Sequence, residues 1–215
     1  MFRLILAAIV GGGFLAYLGF NQVNLANKVE SEPTACTLAE LASGEVINAH
    51  VLVSDFYPTG GWVYEENKSG DYAKIWAAVF GNDHPAMVEL DAAVEADDME
   101  EVERLLGTLE SRISGRDLKV LIKSTECRTE GQVEDLLNRE TLRGVVINDM
   151  EGLDGDTARL LREAYPGMDV DEVLILEADR DPPTMLGAIG MMLGGVGLAG
   201  GGAATGVIGR KRADA

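Results

Sequence analysis

Apolar and polar residues alternate differently in three parts of this chain, and that division organises everything else. Leu4 to Phe20 run 17 residues without a charge, which as a helix spans about 26 Å, near the lower limit for crossing a bilayer. Met185 to Gly209 give 25 consecutive uncharged residues closed by Arg210, Lys211 and Arg212, the form of a membrane span with a basic stop. Between them the pattern is that of a globular domain. "EVINAHVLVSDF" places Ile47, Ala49, Val51 and Val53 on one side of an alternating strand. Pro58-Thr-Gly-Gly61 reads as a turn, "WVYEE" as the return strand and "YAKIWAAVF" as a third strand.

From there the period lengthens. "DDMEEVERLLGTLES" sets Met99, Val102, Leu105, Leu106 and Leu109 at helical spacing. "LKVLIKS", "RGVVIND" and "EVLILEA" are further strands, separated by the short helices "EGQVEDLLNRE" and "DGDTARLLREAYPG", the latter capped near Asp156. Thr37-Leu-Ala-Glu40 has the spacing of a capping box and opens a brief helix. The fold class is therefore α+β: a small, mostly antiparallel sheet or partly open barrel with three or four short helices, flanked by two transmembrane helices. Parallel pairing stays open in the second half.

The boundaries follow. Residues 1–20 form the first span, 21–35 a linker and 36–181 an acidic domain; 182–209 form a Gly-rich second span and 210–215 a basic tail. A cleaved signal peptide competes for the first segment. The apolar run exceeds the usual core of such a signal, and no clear small-residue cleavage site closes it before Asn21, which favours a retained anchor. Basic residues at both ends, with acidic "EADRDPP" before the second span, place both termini in the cytoplasm and the domain outside. The partner is thus the lipid bilayer, with other membrane proteins or a second copy as further candidates.

Composition sharpens this picture through charge. The chain carries 36 acidic and 18 basic residues, a formal net charge of −18. Such a surface repels phosphate backbones, so no nucleic-acid partner is expected. Gly195-Val-Gly197-Leu-Ala-Gly200 matches a dinucleotide-loop fingerprint, but no strand precedes it and no room for a βαβ unit follows. The glycines instead suggest helix packing. Gly187, Gly190, Gly194, Gly197 and Gly201 share one helix face at three- and four-residue spacing, with Gly11, Gly12 and Gly13 of the first span, or a second copy, as the surface they meet.

Candidate chemistry is sparse. No nucleophile elbow exists. His50 lies in a strand among apolar neighbours, and His84 sits in a loop beside Asp83. The acids Asp149, Glu151, Asp154 and Asp156 lack calcium-loop spacing. Neither a catalytic residue, a metal ligand nor a cofactor is assigned. Cys36 and Cys127 are either a disulfide, permitted outside the cytoplasm, or two free thiols. Tyr57, Trp62 and Tyr64 around the expected turn are candidates for an interaction surface.

The stretches "TLAEL", "NAHVLVSDF", "VYEE", "KIWAAVF", "GVVIND", "YPGMDVDEVLILE" and "DRDPP", with the closing glycine-rich span, together resemble a family of two-span bacterial membrane proteins abundant in planctomycetes. That resemblance implies the two-span layout and no particular activity. The reading is a membrane-anchored, non-enzymatic accessory or assembly protein. The alternative is an envelope hydrolase using carboxylates and a metal, with Asp55, Asp83 and His84 as its first residues.

Overall fold

The protein's structure, a computed structural model, describes residues 2–148 and 152–213, with the side chains of 2–4, 110 and 204–213 left out. Asp149, Glu151 and the charged groups of the basic tail therefore lie outside the described residues. The chain divides into two compact units: Met1–Val29 with Pro182–Ala215, and Glu30–Asp181.

The first unit consists of two helices, α1 (Phe2–Ala26) and α8 (Met185–Ala213). Both are long and apolar enough to cross a membrane. Their packing differs from the expected glycine face. A Cβ on Gly12 would lie 2.5 Å from Ala199 N and 2.6 Å from Gly195 O, while one on Gly195 would collide with Ala16 and Gly12. Gly19 meets Met192 in the same way, and Gly202 lies against Ile5, Ala8 and Ile9. Partners thus descend along α8 as they ascend along α1, so the helices are antiparallel. Ala188, Met192, Gly195, Ala199 and Gly202 form the seam, at alternating steps of four and three. Gly190, Gly194, Gly197 and Gly201 are off it: a Cβ there meets nothing within 4 Å, and Gly187 meets only Thr184. Of Gly11, Gly12 and Gly13, Gly12 alone lies in the seam. With a glycine or alanine on at least one side of each step, Gly19 facing Met192, the two backbones approach closely, the condition for helix association without a hydrophobic drive.

The second unit is α+β. Its sheet follows the order β1 (Thr34–Thr37), β2 (His50–Ser54), β7 (Thr141–Val146), β8 (Leu174–Ala178), β6 (Val120–Ser124), β5 (Tyr72–Gly81) and β3 (Phe56–Pro58). These strands form a nearly closed, barrel-like sheet, and β4 (Val63–Glu66) branches off by pairing with β5. Neighbours are antiparallel except β1 with β2 and β6 with β8. The helices are α2 (Leu38–Ser43), α3 (Pro85–Glu95), α4 (Met99–Leu106), α5 (Leu109–Arg112), α6 (Glu130–Leu137) and α7 (Gly155–Ala164), with a 3₁₀ turn at Gly115–Asp117. That exceeds the three or four expected. The helix missed entirely is α3, which starts at Pro85 in the N1 position behind the cap His84.

Strand β5 explains why so many helices are needed. Ile75, Ala77 and Val79 enter one core with Cys36, Val53, Ile122 and Leu142, while Trp76, Ala78 and Phe80 enter a second with Met87, Leu105 and Leu161. A strand apolar on both sides requires cover on both sides. Residues of α2 and α6 close the first core, and those of α3, α4 and α7 close the second.

The segment after Pro58 is not a hairpin turn. Both β3 and β4 run antiparallel to β5, with Tyr57 opposite Phe80 and Val63 opposite Trp76. They are one edge strand interrupted by a bulge at 59–62, and the hairpin comes later, at 67–71, where Gly70 takes a φ of 87°. The segment 21–35 also departs from a plain linker: α1 continues to Ala26, and β1 begins at Thr34.

The seam yields a prediction. Gly195→Leu, despite the better helix propensity of Leu, should destabilise the α1–α8 pair by about 1–3 kcal/mol through overpacking. Gly194→Leu, one residue away and facing outward, should be neutral or stabilising. Denaturant titration of the detergent-solubilised chain, followed through helix separation, distinguishes the two.

Candidate binding groove at the edge of the sheet

The bulge that replaces the expected turn borders a concave feature of the second unit. With residues 59–62 standing opposite fewer residues of β5, the ladder loses rungs. Thr59 recovers one, donating from both its N–H and its Oγ1 to the Ala78 carbonyl, each at 3.2 Å. Tyr165, at the C-terminal end of α7, supplies the rest. Its hydroxyl accepts from Ala78 N–H at 3.4 Å and donates to the Gly61 carbonyl at 2.7 Å. The phenol thus stands in for a missing rung, joining strand and bulge through a side chain.

Around this point a cavity of about 500 Å³ opens, lined by Thr59, Gly61 and Trp62 of the bulge, Ser114 and Gly115 of the 3₁₀ turn, and Tyr165. Gly115 is required there, since a Cβ would meet Pro166 C and Met168 N at 2.9 and 2.7 Å. A second groove of about 240 Å³ shares Thr59 and Ile113 with the first and continues past Phe80 to Leu106 and Leu109. Among the described residues no charged side chain lines either one.

The three aromatics named from the sequence do not form one surface. Tyr57 lies opposite Phe80 on the side of the second core, with ring centroids 5.9 Å apart. Tyr64 lies opposite Ile75 on the side of the first core and packs its ring on Tyr72 at 4.4 Å. Trp62 packs against the first core and also lines the cavity.

The hydrolase candidates lie at a different corner, where β2 ends and β5 ends, each with its own partner. Asp55 holds a left-handed φ of 57° and accepts from Asn82 Nδ2 at 3.2 Å. The Asp83 carboxylate lies against Gly81. His84 caps α3: its Nδ1 accepts from Ala86 N–H at 3.2 Å, which leaves the ring proton on Nε2, 3.5 Å from the Asp117 carboxylate. Nδ1 is thereby engaged in holding the helix start, and Nε2 faces the 3₁₀ turn. No group of three His, Cys, Asp or Glu suited to a metal occurs among the described residues.

The cysteines are free and buried. Burial pushes the Cys36 thiol up, with Glu40 adding to the effect. Cys127 shares the Ser124 hydroxyl at 3.4 Å. The disulfide considered from the sequence is not formed.

Two polar assemblies went unanticipated. Asn48 accepts from the amides of Glu30 and His50 and donates to Glu32 O and Thr34 Oγ1. His50, fully buried, places Nδ1 3.0 Å from Glu30 O and Nε2 3.0 Å from Arg143 Nε. A guanidinium only donates, so Nε2 is the acceptor and Nδ1 carries the hydrogen. Arg143 continues to Asp181 at 2.8 Å. This chain of bonds ties Glu30, the first residue of the unit, to Asp181, the last. The second assembly pairs buried Lys123 with Glu177 across parallel strands at 3.9 Å, with Arg180 also on Glu177. The only sequence signal for either is a charged or imidazole residue on the buried parity of an apolar strand. Nearby, Asp154 rather than Asp156 caps α7; hydrogen bonds from Thr157 hold its carboxyl below the usual range.

The chain matches no family model, no curated protein and no solved structure.

Tyr165→Phe keeps the ring but leaves Ala78 N–H and Gly61 C=O without their shared partner, which should cost about 1–3 kcal/mol. Urea unfolding of the full chain in detergent should show a lower midpoint at an unchanged slope, with β5 amides the ones that lose exchange protection.

Proposed function

We propose that this protein is a membrane-anchored accessory or assembly protein, whose acidic domain acts by binding a partner rather than by catalysis. Helices α1 and α8 are its two spans. The distribution of basic residues at the ends and acidic residues before α8 favours cytoplasmic termini with the domain outside.

The observation that carries the reading is where the concavity lies. The groove along the bulge is lined, among the described residues, by uncharged ones, whereas of the hydrolase candidates Asp83 borders a smaller cavity of about 100 Å³, shared with Asp117 and Lys119. A catalytic site needs its concave space and its convergent ionisable groups in one place. The rival, a carboxylate-dependent hydrolase, has one fact in its favour, the juxtaposition of His84 with Asp117. Against it stands the use of His84 Nδ1 as the cap of α3.

Affinity purification of the full-length chain from detergent-solubilised membranes tests the proposal. A partner should be recovered at low salt and progressively lost as ionic strength rises, as an acidic surface requires. His84→Gln should leave that recovery unchanged. Recovery of no partner at any salt, or hydrolytic turnover abolished by His84→Gln, would contradict it.

A further inference from the structure

One exposed face of the domain is built unlike the rest. The helices α3 and α4 pack on each other and turn their apolar residues Met87, Leu90, Val102 and Leu105 inward. Yet the same pair also turns Val88, Val94, Met99 and Leu106 outward, each more than half exposed. Elsewhere in Glu30–Asp181 only Ile47, among the described residues, is a large apolar side chain as exposed as these. A concentration of exposed apolar residues on one supersecondary unit marks an interaction surface rather than ordinary surface scatter.

The charge around them is equally one-sided. Between Pro85 and Leu106 there are eight acidic residues and one basic one, Arg104. Arg104 is spent on Glu101, whose carboxyl it holds below the usual range, and Glu89 is met by Arg112 from outside. Asp91, Glu95, Asp97, Glu100 and Glu103 are exposed. None of these five makes an ion pair with a described residue.

Geometry narrows the occupant. Met99, Glu103 and Leu106 are spaced by four and three residues, so they share one face of α4 and span about 10.5 Å, two helical turns. At the end of that strip Leu106 becomes a wall of the 240 Å³ groove formed with Pro58, Gly60, Phe80, Leu109 and Ile113. Two exposed apolar side chains, Met99 and Leu106, with Glu103 between them and an apolar slot at one end, are complementary to an amphipathic helix whose apolar anchors alternate with Lys and Arg. A second copy bringing the same face would set acid against acid.

We infer that the outer face of α4, with the groove Leu106 borders, is the docking surface for a basic amphipathic helix of a partner protein. This rests on the binding reading of the domain. Met99, Leu106 and the slot supply the hold, and the acids supply steering and register.

The test uses the full chain in nanodiscs and three synthetic peptides of about 18 residues, five helical turns: an amphipathic Leu/Lys helix, a scrambled peptide of identical composition, and a Leu/Glu counterpart of the first. Fluorescence anisotropy should show the amphipathic basic peptide bound at least about tenfold more tightly than the scrambled one, a difference of one decade in Kd, and no binding of the Leu/Glu peptide. Met99→Ser with Leu106→Ser, both exposed and leaving Tm unchanged, should weaken binding about tenfold. Glu100→Lys with Glu103→Lys should slow association and flatten its salt dependence. Equal binding of the scrambled peptide, wild-type affinity in the Ser variant, or no binding at all would overturn the assignment. So would a change in oligomeric state caused by the Ser variant, which would make a second copy the occupant. A membrane partner recovered equally by wild type and the Ser variant would leave the accessory function standing and remove only this surface.

Discussion

The fold turns on β5, a strand with no solvent side over most of its length. From Ile75 to Gly81 every residue is buried, with odd and even positions feeding separate cores. Each face then needs its own layer of helices. The sheet also needs continuous neighbours along both edges of β5, since backbone groups so deep have no water to bond. On one edge β6 supplies them from Ile75 to Val79. On the other the partner strand bulges, and Tyr165 must supply what the bulge removes. The groove is the space left by that repair, so the most distinctive surface feature follows from the most buried strand.

The two ends of the domain are governed by polar rather than apolar interactions. Asn48 and His50 hold the lead-in segment, and Arg143 passes the connection to Asp181. With every donor and acceptor of the Asn48 side chain used and the tautomer of His50 dictated by a guanidinium, this network has one arrangement. In the helical unit the logic is different. Gly12, Gly19 and Gly195 admit another backbone where a Cβ would collide, so that the two helices meet by close packing of their backbones.

Local signals in the sequence were legible and nonlocal ones were not. The capping box at Thr37 and Glu40 is present in both its bonds, and the alternation around Val51 and Val53 marks the strand that forms. The stretch Pro58 to Gly61 is ambiguous by nature, because the same residues make a turn or a bulge, and the choice depends on Tyr165, a residue 104 positions from Gly61. Glycine in α8 misleads for a related reason. It is dense on several faces, so its spacing cannot say which one meets α1; the seam is fixed by where Ala8, Gly12 and Ala16 stand on the other helix. His84 looked like loop chemistry because α3 behind it was not recognised. The ionic pair of Lys123 and Glu177 depends on a parallel register that no local pattern encodes.

Everything proposed for this protein requires that α1 and α8 be solvated by lipid. Alkaline carbonate extraction of membranes from cells making the full-length chain measures this most directly. The account predicts that the protein stays with the bilayer at high pH and high salt and is released only by detergent. Recovery of the intact chain in the aqueous fraction, folded and without detergent, would contradict it.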